Sequence, residues 1–171
     1  MTKKIVITGP ESSGKTTLAE LLSKENRAPL VTEYAREYLE ILVGDYTFDD
    51  VIKMAKKQLH REEEKKGDLI VCDTDLTVYH VWIKEKYNQE LDWINEHLTG
   101  AKNKIYFLCD INDIEWEYDP LREHPNIEDR KRLFSEYVQL LEKNKLTYYI
   151  VSGDIPTRQK KCKEIISSLL A

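Results

Sequence analysis

The sequence has few cysteines and no long apolar run, and each shortage excludes a class of protein. Its three cysteines, Cys72, Cys109 and Cys162, lie far apart without C-x-x-C spacing, which argues against a disulfide framework and favours buried, reduced thiols. The four histidines show no ligand spacing with cysteine or glutamate, so no zinc site is expected. Because there is no signal peptide and no stretch of 18 apolar residues, we expect a cytoplasmic protein without a membrane partner.

Basic charge and linker sequence are scarce as well. Lysine and arginine number 26 against 31 acidic residues, the net charge is −5, and no basic stripe occurs, so no nucleic-acid partner is expected. No linker rich in proline, glycine or serine and no internal repeat divides the 171 residues. We therefore expect one domain over residues 1–171. Self-association into a homo-oligomer is left open.

What the sequence does contain, at residues 7–17, is ITGPESSGKTT, which fits the pattern G-x-x-x-x-G-K-[ST]. Glycines in such a loop let successive backbone N–H groups point at phosphate oxygens. The lysine reaches the β- and γ-phosphates, and the hydroxyl after it ligates Mg²⁺. An Ile/Val-rich run precedes the loop and a leucine-periodic helix follows it, as the mechanism requires. The residues expected to bind the nucleotide are Gly9, Glu11, Ser12, Ser13, Gly14, Lys15, Thr16 and Thr17.

Strand-like runs near 3–8, 29–32, 69–73, 104–109 and 147–151 alternate with helical patterns. This order predicts an α/β protein, a three-layer P-loop NTPase with a five-stranded, mostly parallel sheet, helices on both faces and a lid segment. In such sheets ligands bind at the carboxyl ends of the strands. Candidate site residues are therefore sought directly after each strand.

Glu33 stands at the end of the second strand, and Tyr34 and Arg36 lie in the first turn of the next helix. The carboxylate of Glu33 is suited to orient an acceptor hydroxyl or to take its proton. The alternative is an acidic residue that merely opens a helix, which the helix dipole favours. We expect all three residues to contact the acceptor.

Asp73 ends the third strand in LIVCDTD, where it follows four mainly apolar residues. This pattern matches the second acidic element of P-loop proteins, whose carboxylate holds Mg²⁺ directly or through water. Thr16 and Asp73 are the predicted metal ligands. Asp75, two residues later, has two readings that the sequence leaves open. It either contacts substrate or caps the following helix.

A segment at approximately 111–128 follows the fourth strand, lacks an apolar period and contains two prolines, which is typical of a lid. Its Arg122 is expected to close over the β- and γ-phosphates and stabilise the transferring charge. The alternative is a surface arginine in a solvated loop. Trp116 either anchors this loop in a hydrophobic pocket or stacks on a base.

The nucleotide is expected to be ATP. The guanine-reading motif N-K-x-D is missing, because NKIY and NKLT both lack the aspartate. After the fifth strand, SGDIPTR places Arg158 where its flat guanidinium would pack on an adenine ring. ATP and Mg²⁺ are thus the predicted nucleotide and metal.

The segments ITGPESSGKTTLAE, EYAREYLE, VCDTDLT and WEYDPLREHP together resemble the ribosylnicotinamide kinase domain of NadR-type proteins, a P-loop ATPase/kinase family, over residues 4 to about 160. The resemblance implies ATP-dependent phosphorylation of the 5′-hydroxyl of ribosylnicotinamide to nicotinamide mononucleotide, a step of NAD salvage. It also implies an acceptor pocket between the second and third strand ends and a lid that carries the arginine. Neither an H-x-G-H-like element for adenylyl transfer nor a helix-turn-helix segment is found, so the kinase step alone is expected.

The predicted catalytic residues are Lys15, Glu33, Asp73 and Arg122, with either carboxylate as the proton acceptor. Two other functions remain open at this point. One is a kinase for another nucleoside or small alcohol, which would use the same residues. The other is an ATP-binding switch or sensor that contacts a protein partner.

Overall fold

A computed structural model describes residues 2–170, which form twelve helices and strands. The strands are β1 (Lys3–Thr8), β2 (Leu30–Val31), β3 (Leu69–Asp73), β4 (Lys104–Cys109) and β5 (Thr147–Val151). The helices are α1 (Lys15–Asn26), α2 (Tyr34–Ile41), α3 (Phe48–Glu64), α4 (Leu76–Tyr87), α5 (Asp92–Gly100), α6 (Ile127–Lys143) and α7 (Ile155–Leu170).

The five strands pair in the order β2-β3-β1-β4-β5, and every pairing is parallel. β1 therefore lies at the centre, and the phosphate-loop motif leaves its carboxyl end between β3 and β4. The central strands are apolar along their length because helices cover both of their faces. The predicted fold class is confirmed.

Two apolar cores, one on each side of the sheet, make the three layers. On one side α1 and α7 pack on the sheet through residues such as Leu18, Leu22 and Ile166. On the other side α3, α4, α5 and α6 supply a larger core that includes Met54 and Leu141. The alternation of side chains along each strand divides the residues of the sheet between these cores.

Asn88, which has a left-handed backbone (φ 51°), ends α4, and α5 begins at Asp92. Thr47 is the N-cap of α3. The Thr47 hydroxyl accepts from the backbone N–H of Asp50, and the Asp50 carboxylate accepts from the backbone N–H of Thr47. These two hydrogen bonds form a capping box at the start of α3.

All three cysteines are buried and none is paired with another. Within residues 2–170 no helix has both the length and the apolar character needed to cross a bilayer.

Candidate active site

The loop after β1 has the backbone of a phosphate cradle. Gly9 and Gly14 have φ values of 136° and 78°, and Ser12, without a glycine's freedom, has φ 52°. A Cβ on Gly9 would lie 3.0 Å from the carbonyl oxygen of Cys109, so only glycine lets the loop pass this close to β4. The curl of the loop therefore depends on both the left-handed backbone and the close approach of a neighbouring strand.

The start of α1 supplies an electropositive site at this loop. Its N-cap, Gly14, has no side chain to satisfy the first N–H groups of the helix, so these groups and the dipole are available to an anion. The Lys15 ammonium donates to the carbonyl oxygen of Pro10 at 2.7 Å and is paired with no carboxylate of residues 2–170. A triphosphate fits this set of donors in charge and in hydrogen-bonding capacity.

Thr16 and Asp73 meet at the carboxyl end of β3. The Thr16 hydroxyl donates to Asp73 Oδ2 at 2.7 Å, whereas Asp73 Oδ1 is buried and has no hydrogen-bond partner among the described residues 2–170. Burial raises the pKa of Asp73 to about 6, with a further contribution from the negative charge of Glu33. A hydroxyl and a carboxylate with an unused oxygen fit Mg²⁺, which takes few protein ligands and keeps water or phosphate oxygens as the rest.

Thr74 follows Asp73 with φ 68°, a strained backbone for a β-branched residue. Its hydroxyl oxygen is also buried without a partner. Such strain concentrates at functional sites, because the surrounding structure must hold it in place. Nothing in the local sequence pattern indicated it.

Glu33 occupies the N-cap position of α2, yet its side chain makes no capping hydrogen bond. Within residues 2–170 its carboxylate has no hydrogen-bond or ion-pair partner that meets ordinary geometric limits, and it lines the cavity beside the phosphate loop. Its charge reaches Asp73 strongly enough to raise that pKa. The helix-opening role weighed for Glu33 is therefore not carried out by its side chain, which is available to a ligand.

The cavity measures about 600 Å³ and continues from the phosphate loop between α2, α4 and α6. Apolar and aromatic side chains form much of its wall. They are Ala35, Leu39, Val78, Val81, Trp82, Leu133 and Tyr137. A pocket of this size with few polar groups at one end is typical of a small-molecule site.

One rim of the cavity is a hydrogen-bonded group around Tyr46. Its hydroxyl donates to the carboxylate of Glu123, and the indole N–H of Trp82 donates to Tyr46 at 3.0 Å. Lys86 is paired with Glu123 at 2.9 Å and lies over the Tyr46 ring. None of these residues was identified from the sequence. The only available signal was the apolar spacing of Val78, Val81 and Trp82 along α4.

Residues 110–126 join β4 to α6 without a helix or strand and are hydrogen-bonded to the phosphate loop through Ser12 and Glu11. Arg122 lines the cavity and donates to the carbonyl oxygen of Glu117 at 2.6 Å. It also reaches the Ser12 hydroxyl at 3.4 Å, and its guanidinium lies 5.8 Å from the centre of the Trp116 ring. Trp116 thus lies beside the lid arginine Arg122.

Glu11, predicted as a nucleotide ligand, turns its side chain to the lid. Its carboxylate accepts from the backbone N–H groups of Glu123 and His124, at 3.0 and 2.9 Å. Burial alone would raise the pKa of Glu11, but the hydrogen bonds from His124 and Glu123 outweigh it and lower that pKa. Only the backbone of Glu11 therefore remains a candidate for phosphate binding.

Arg158 does not occupy the predicted position against an adenine ring. It is fully buried, and its guanidinium donates to three carbonyl oxygens, those of Gly153, Ser13 and Asp110, at 2.7, 2.9 and 2.8 Å. No face of the guanidinium is open to a base. Arg158 instead fastens α7 to the phosphate loop and to the start of the lid.

Asp75 and Tyr34 are likewise outside the cavity, which corrects their assignment to the substrate. The fully buried Asp75 caps α4 by accepting from the N–H of Thr77, and it is paired with Lys104 at 2.9 Å. The Tyr34 ring packs under the guanidinium of Arg61, at 4.5 Å. Arg36 does line the cavity and is paired with Asp119 of the lid at 2.9 Å.

No curated protein matches this chain significantly. Among solved structures, a NadR protein in complex with NR has a TM-score of 0.71 at 24% identity, over 90% of this chain and 46% of that one. This chain thus spans about half the length of that protein. A deoxyadenosine kinase from M. mycoides has a TM-score of 0.64 at 18% identity, over 96% of this chain and 99% of that one. A thymidylate kinase from Ehrlichia chaffeensis has a TM-score of 0.63 at 16% identity, over 96% of this chain and 98% of that one.

These likenesses confirm that the chain has the fold of a NadR-like P-loop kinase domain, which it shares with nucleoside and nucleotide kinases. A family model described as an AAA domain matches residues 4–158, which is most of the chain. The protein belongs to the AAA domain family.

Proposed function

We propose that this protein is an ATP-dependent kinase that phosphorylates a hydroxyl group of a nucleoside, with the 5′-hydroxyl of ribosylnicotinamide as the proposed acceptor. The observation that carries the proposal is the unpaired carboxylate of Glu33, which lines a cavity continuous with the phosphate loop. A switch protein that only binds ATP has no need of such a group. In this proposal residues 1–171 act as one kinase domain with residues 111–128 as its lid.

The donor side of the site would hold ATP. Backbone N–H groups of residues 9–17 and the Lys15 ammonium would bind the phosphates, which lowers the cost of charge that builds up during transfer. Mg²⁺, held by Thr16 and near Asp73, would neutralise phosphate charge when bound. The absence of the guanine-reading motif supports ATP over GTP.

Of the two carboxylates, Glu33 is the better candidate to orient the acceptor hydroxyl and take its proton. Asp73 already accepts the Thr16 hydroxyl through Oδ2, and its Oδ1 is buried beside that hydroxyl, which suits the carboxylate to a metal. The Glu33 carboxylate has no hydrogen-bond or ion-pair partner within residues 2–170, and it lines the cavity, where an acceptor can reach it. Asp73 is then left with the metal.

The charges around the cavity favour an acceptor without a phosphate. The two cations on the acceptor side are already paired, Arg36 with Asp119 and Lys86 with Glu123. A monophosphate would have to break one of these pairs, whereas a nucleoside would place its base against the aromatic wall near Trp82 and its ribose toward Glu33. In this proposal Lys15 and Arg122 would face the donor phosphates.

Ribosylnicotinamide is proposed because of the NadR-type motifs and the likeness to a NadR protein that was crystallised with NR and with NAD and AMP-PNP. The deoxyadenosine kinase neighbour supports the wider class of nucleoside acceptors. A kinase for another nucleoside or small alcohol is the second candidate, because the same residues would serve it.

The decisive experiment follows ADP release from ATP and Mg²⁺ with ribosylnicotinamide, adenosine, deoxyadenosine, thymidine or thymidine monophosphate. Release that depends on ribosylnicotinamide supports the full proposal. If ribosylnicotinamide gives no more ADP than a control without acceptor while another nucleoside does, the substrate is wrong and the kinase stands. If no acceptor stimulates release although ATP binds, the protein is better described as a switch.

A matched pair of variants tests the role of Glu33. Glu33→Gln should bind ATP and Mg²⁺ normally and lose transfer by roughly 10²–10⁴-fold, the scale of a general base. Glu40→Gln changes an exposed glutamate of the same helix and should be close to wild type. Equal activity of the two variants would remove Glu33 from the mechanism.

A further inference from the structure

Arg130 is a buried arginine on α6 that has no partner for its charge. The residue is 4% exposed, and its Nε and Nη1 atoms are inaccessible to water. Within residues 2–170 its side chain makes no hydrogen bond and no salt bridge that meets ordinary geometric limits. A buried, unpaired guanidinium is costly, and fully buried arginines are rare unless they are paired.

Arg130 lies on the same face of α6 as two cavity-lining residues, although it is not itself part of the cavity wall. Leu133 and Tyr137, three and seven residues further on, line the cavity, and residues at these spacings share one side of a helix. The Arg130 guanidinium lies 5.2 Å from the centre of the Trp116 ring, the same ring that Arg122 approaches from the lid. Two guanidinium groups thus lie around one aromatic ring beside the phosphate loop.

The nearby acidic group does not satisfy this charge. Glu11 is close enough to influence Arg130 electrostatically, but its carboxylate accepts from Glu123 and His124 instead. Burial lowers the pKa of Arg130, and the positive charge of Arg122 adds to the effect. Within residues 2–170 the Arg130 guanidinium therefore has no carboxylate in ion-pair contact, although the charge of Glu11 acts on it from a distance.

We propose that Arg130 is a second phosphate-binding cation, which binds the terminal phosphate of the nucleotide together with Arg122. The inference rests on the proposed nucleotide site. A phosphate supplies the charge and the acceptor oxygens that a guanidinium binds best, and charge-assisted pairs of this kind are strong. Arg130 is then held in place by Trp116 before the nucleotide arrives, so little side-chain entropy is lost on binding.

The alternative is that Arg130 only packs against Trp116 and stabilises the lid. The two roles differ in how the apoprotein and the complex respond to a neutral side chain. Arg130→Met keeps most of the volume and removes the unpaired charge, so the apoprotein should melt at or above the wild-type temperature. A packing role alone predicts unchanged nucleotide affinity in a folded variant.

The test measures the dissociation constants of AMP-PNP and of ADP, each with Mg²⁺, by calorimetric titration of wild type, Arg130→Met and Arg130→Lys. We expect Arg130→Met to bind AMP-PNP about 10- to 100-fold more weakly, the scale of a hydrogen bond to a charged group. The loss for ADP should be smaller, because ADP lacks the terminal phosphate. Arg130→Lys should recover part of the AMP-PNP affinity, because it keeps the charge and loses the planar fork.

Lys131→Met is the matched control, since Lys131 is the next residue of α6, exposed and paired only with Glu128. It should bind both nucleotides like wild type. Unchanged AMP-PNP affinity in folded Arg130→Met would overturn the inference, as would equal losses for AMP-PNP and ADP. Should Arg130→Met fail to fold, a folded Arg130→Lys with wild-type AMP-PNP affinity would overturn it. If wild type itself does not bind AMP-PNP, the proposed function fails as well, a result distinct from failure of Arg130 alone.

Discussion

Asp73 is expected to cost the apoprotein stability, and Asp73→Asn should reveal that cost. The carboxylate is 3% exposed, one of its oxygens has no partner, and its pKa is raised to about 6 by burial and then by Glu33. Asparagine keeps the shape and a carbonyl oxygen that accepts from Thr16, but it carries no charge. The variant should therefore be more stable than wild type wherever Asp73 is ionised.

The size and the sign of the effect follow from proton linkage. Because the pKa of Asp73 is higher in the folded state than its ordinary value of 3.8, the folded state binds more protons between these two values. The free energy of unfolding therefore falls as pH rises from about 4 to about 6, and the whole cost is present above that range. The difference of roughly two units between the pKa values of the folded and unfolded states corresponds to about 3 kcal/mol. We therefore expect the free energy of unfolding of the variant to exceed that of wild type by about 1 to 3 kcal/mol at neutral pH.

The assay is urea unfolding of wild type and Asp73→Asn without nucleotide or metal, at several values between about pH 4 and pH 8. The difference in free energy of unfolding should be largest at the alkaline end and should shrink toward pH 4. Asp68→Asn, an exposed aspartate just before the same strand, should show no such trend. A difference that is independent of pH, or a less stable variant at pH 8, would refute the reasoning.

ATP with Mg²⁺ should reverse the order of stability. A ligand that binds only the folded state raises its apparent stability in proportion to the logarithm of the free ligand concentration over the dissociation constant. Wild type should gain more than Asp73→Asn, because the variant lacks the carboxylate proposed to hold the metal. Equal gains would separate Asp73 from the metal site.

Three further outcomes are expected. Lys15→Ala should lose phosphoryl transfer in an ADP-release assay with an unchanged melting temperature, since within residues 2–170 the ammonium hydrogen-bonds only to the Pro10 carbonyl. Near-normal turnover would end the kinase proposal. Arg122→Ala should lower kcat far more than it raises the KM for ATP, and an unchanged kcat would return Arg122 to an idle lid loop. Arg158→Met should lower the free energy of unfolding, measured in urea, by at least about 3 kcal/mol, because three carbonyl groups lose their donor. The control is Lys160→Met, which changes an exposed residue of the same helix. Equal stability of the two variants would contradict the anchoring role.

The local features of this protein were determined by the sequence alone. The phosphate loop could be recognised because its glycines, Lys15 and Thr16 lie within a few residues of one another and between an apolar strand and a helix. The bounds of β1, β3, β4 and β5 agree with the predicted runs. For the central strands β1, β3 and β4 the reason is that helices cover both faces of a parallel sheet, which requires a mainly apolar run. The alternation of strands and helices then sufficed for the fold class.

The direction of individual side chains was decided by contacts between distant segments. Asp75 follows a strand end as Asp73 does, yet it points into the core because Lys104, 29 residues away, supplies its counter-charge there. Arg158 is drawn away from any ligand by the Ser13 carbonyl, 145 residues away. Sequence position indicates which edge of the sheet a residue reaches, but not which of the groups at that edge will satisfy it.

The role of Arg130 could not be predicted from the sequence either, although this residue is left without a partner rather than given one. In the sequence it is one charged residue in the run EDRKRLF, where helical spacing alone assigns it to neither the cavity nor the solvent. Only the packing of α6 against the cavity leaves its guanidinium buried beside Trp116 and without a partner. The sequence pattern was sufficient to predict the fold of this protein. Hydrogen bonding and desolvation depend on distances in space, so only the tertiary structure decides which of its charges are free to bind a ligand.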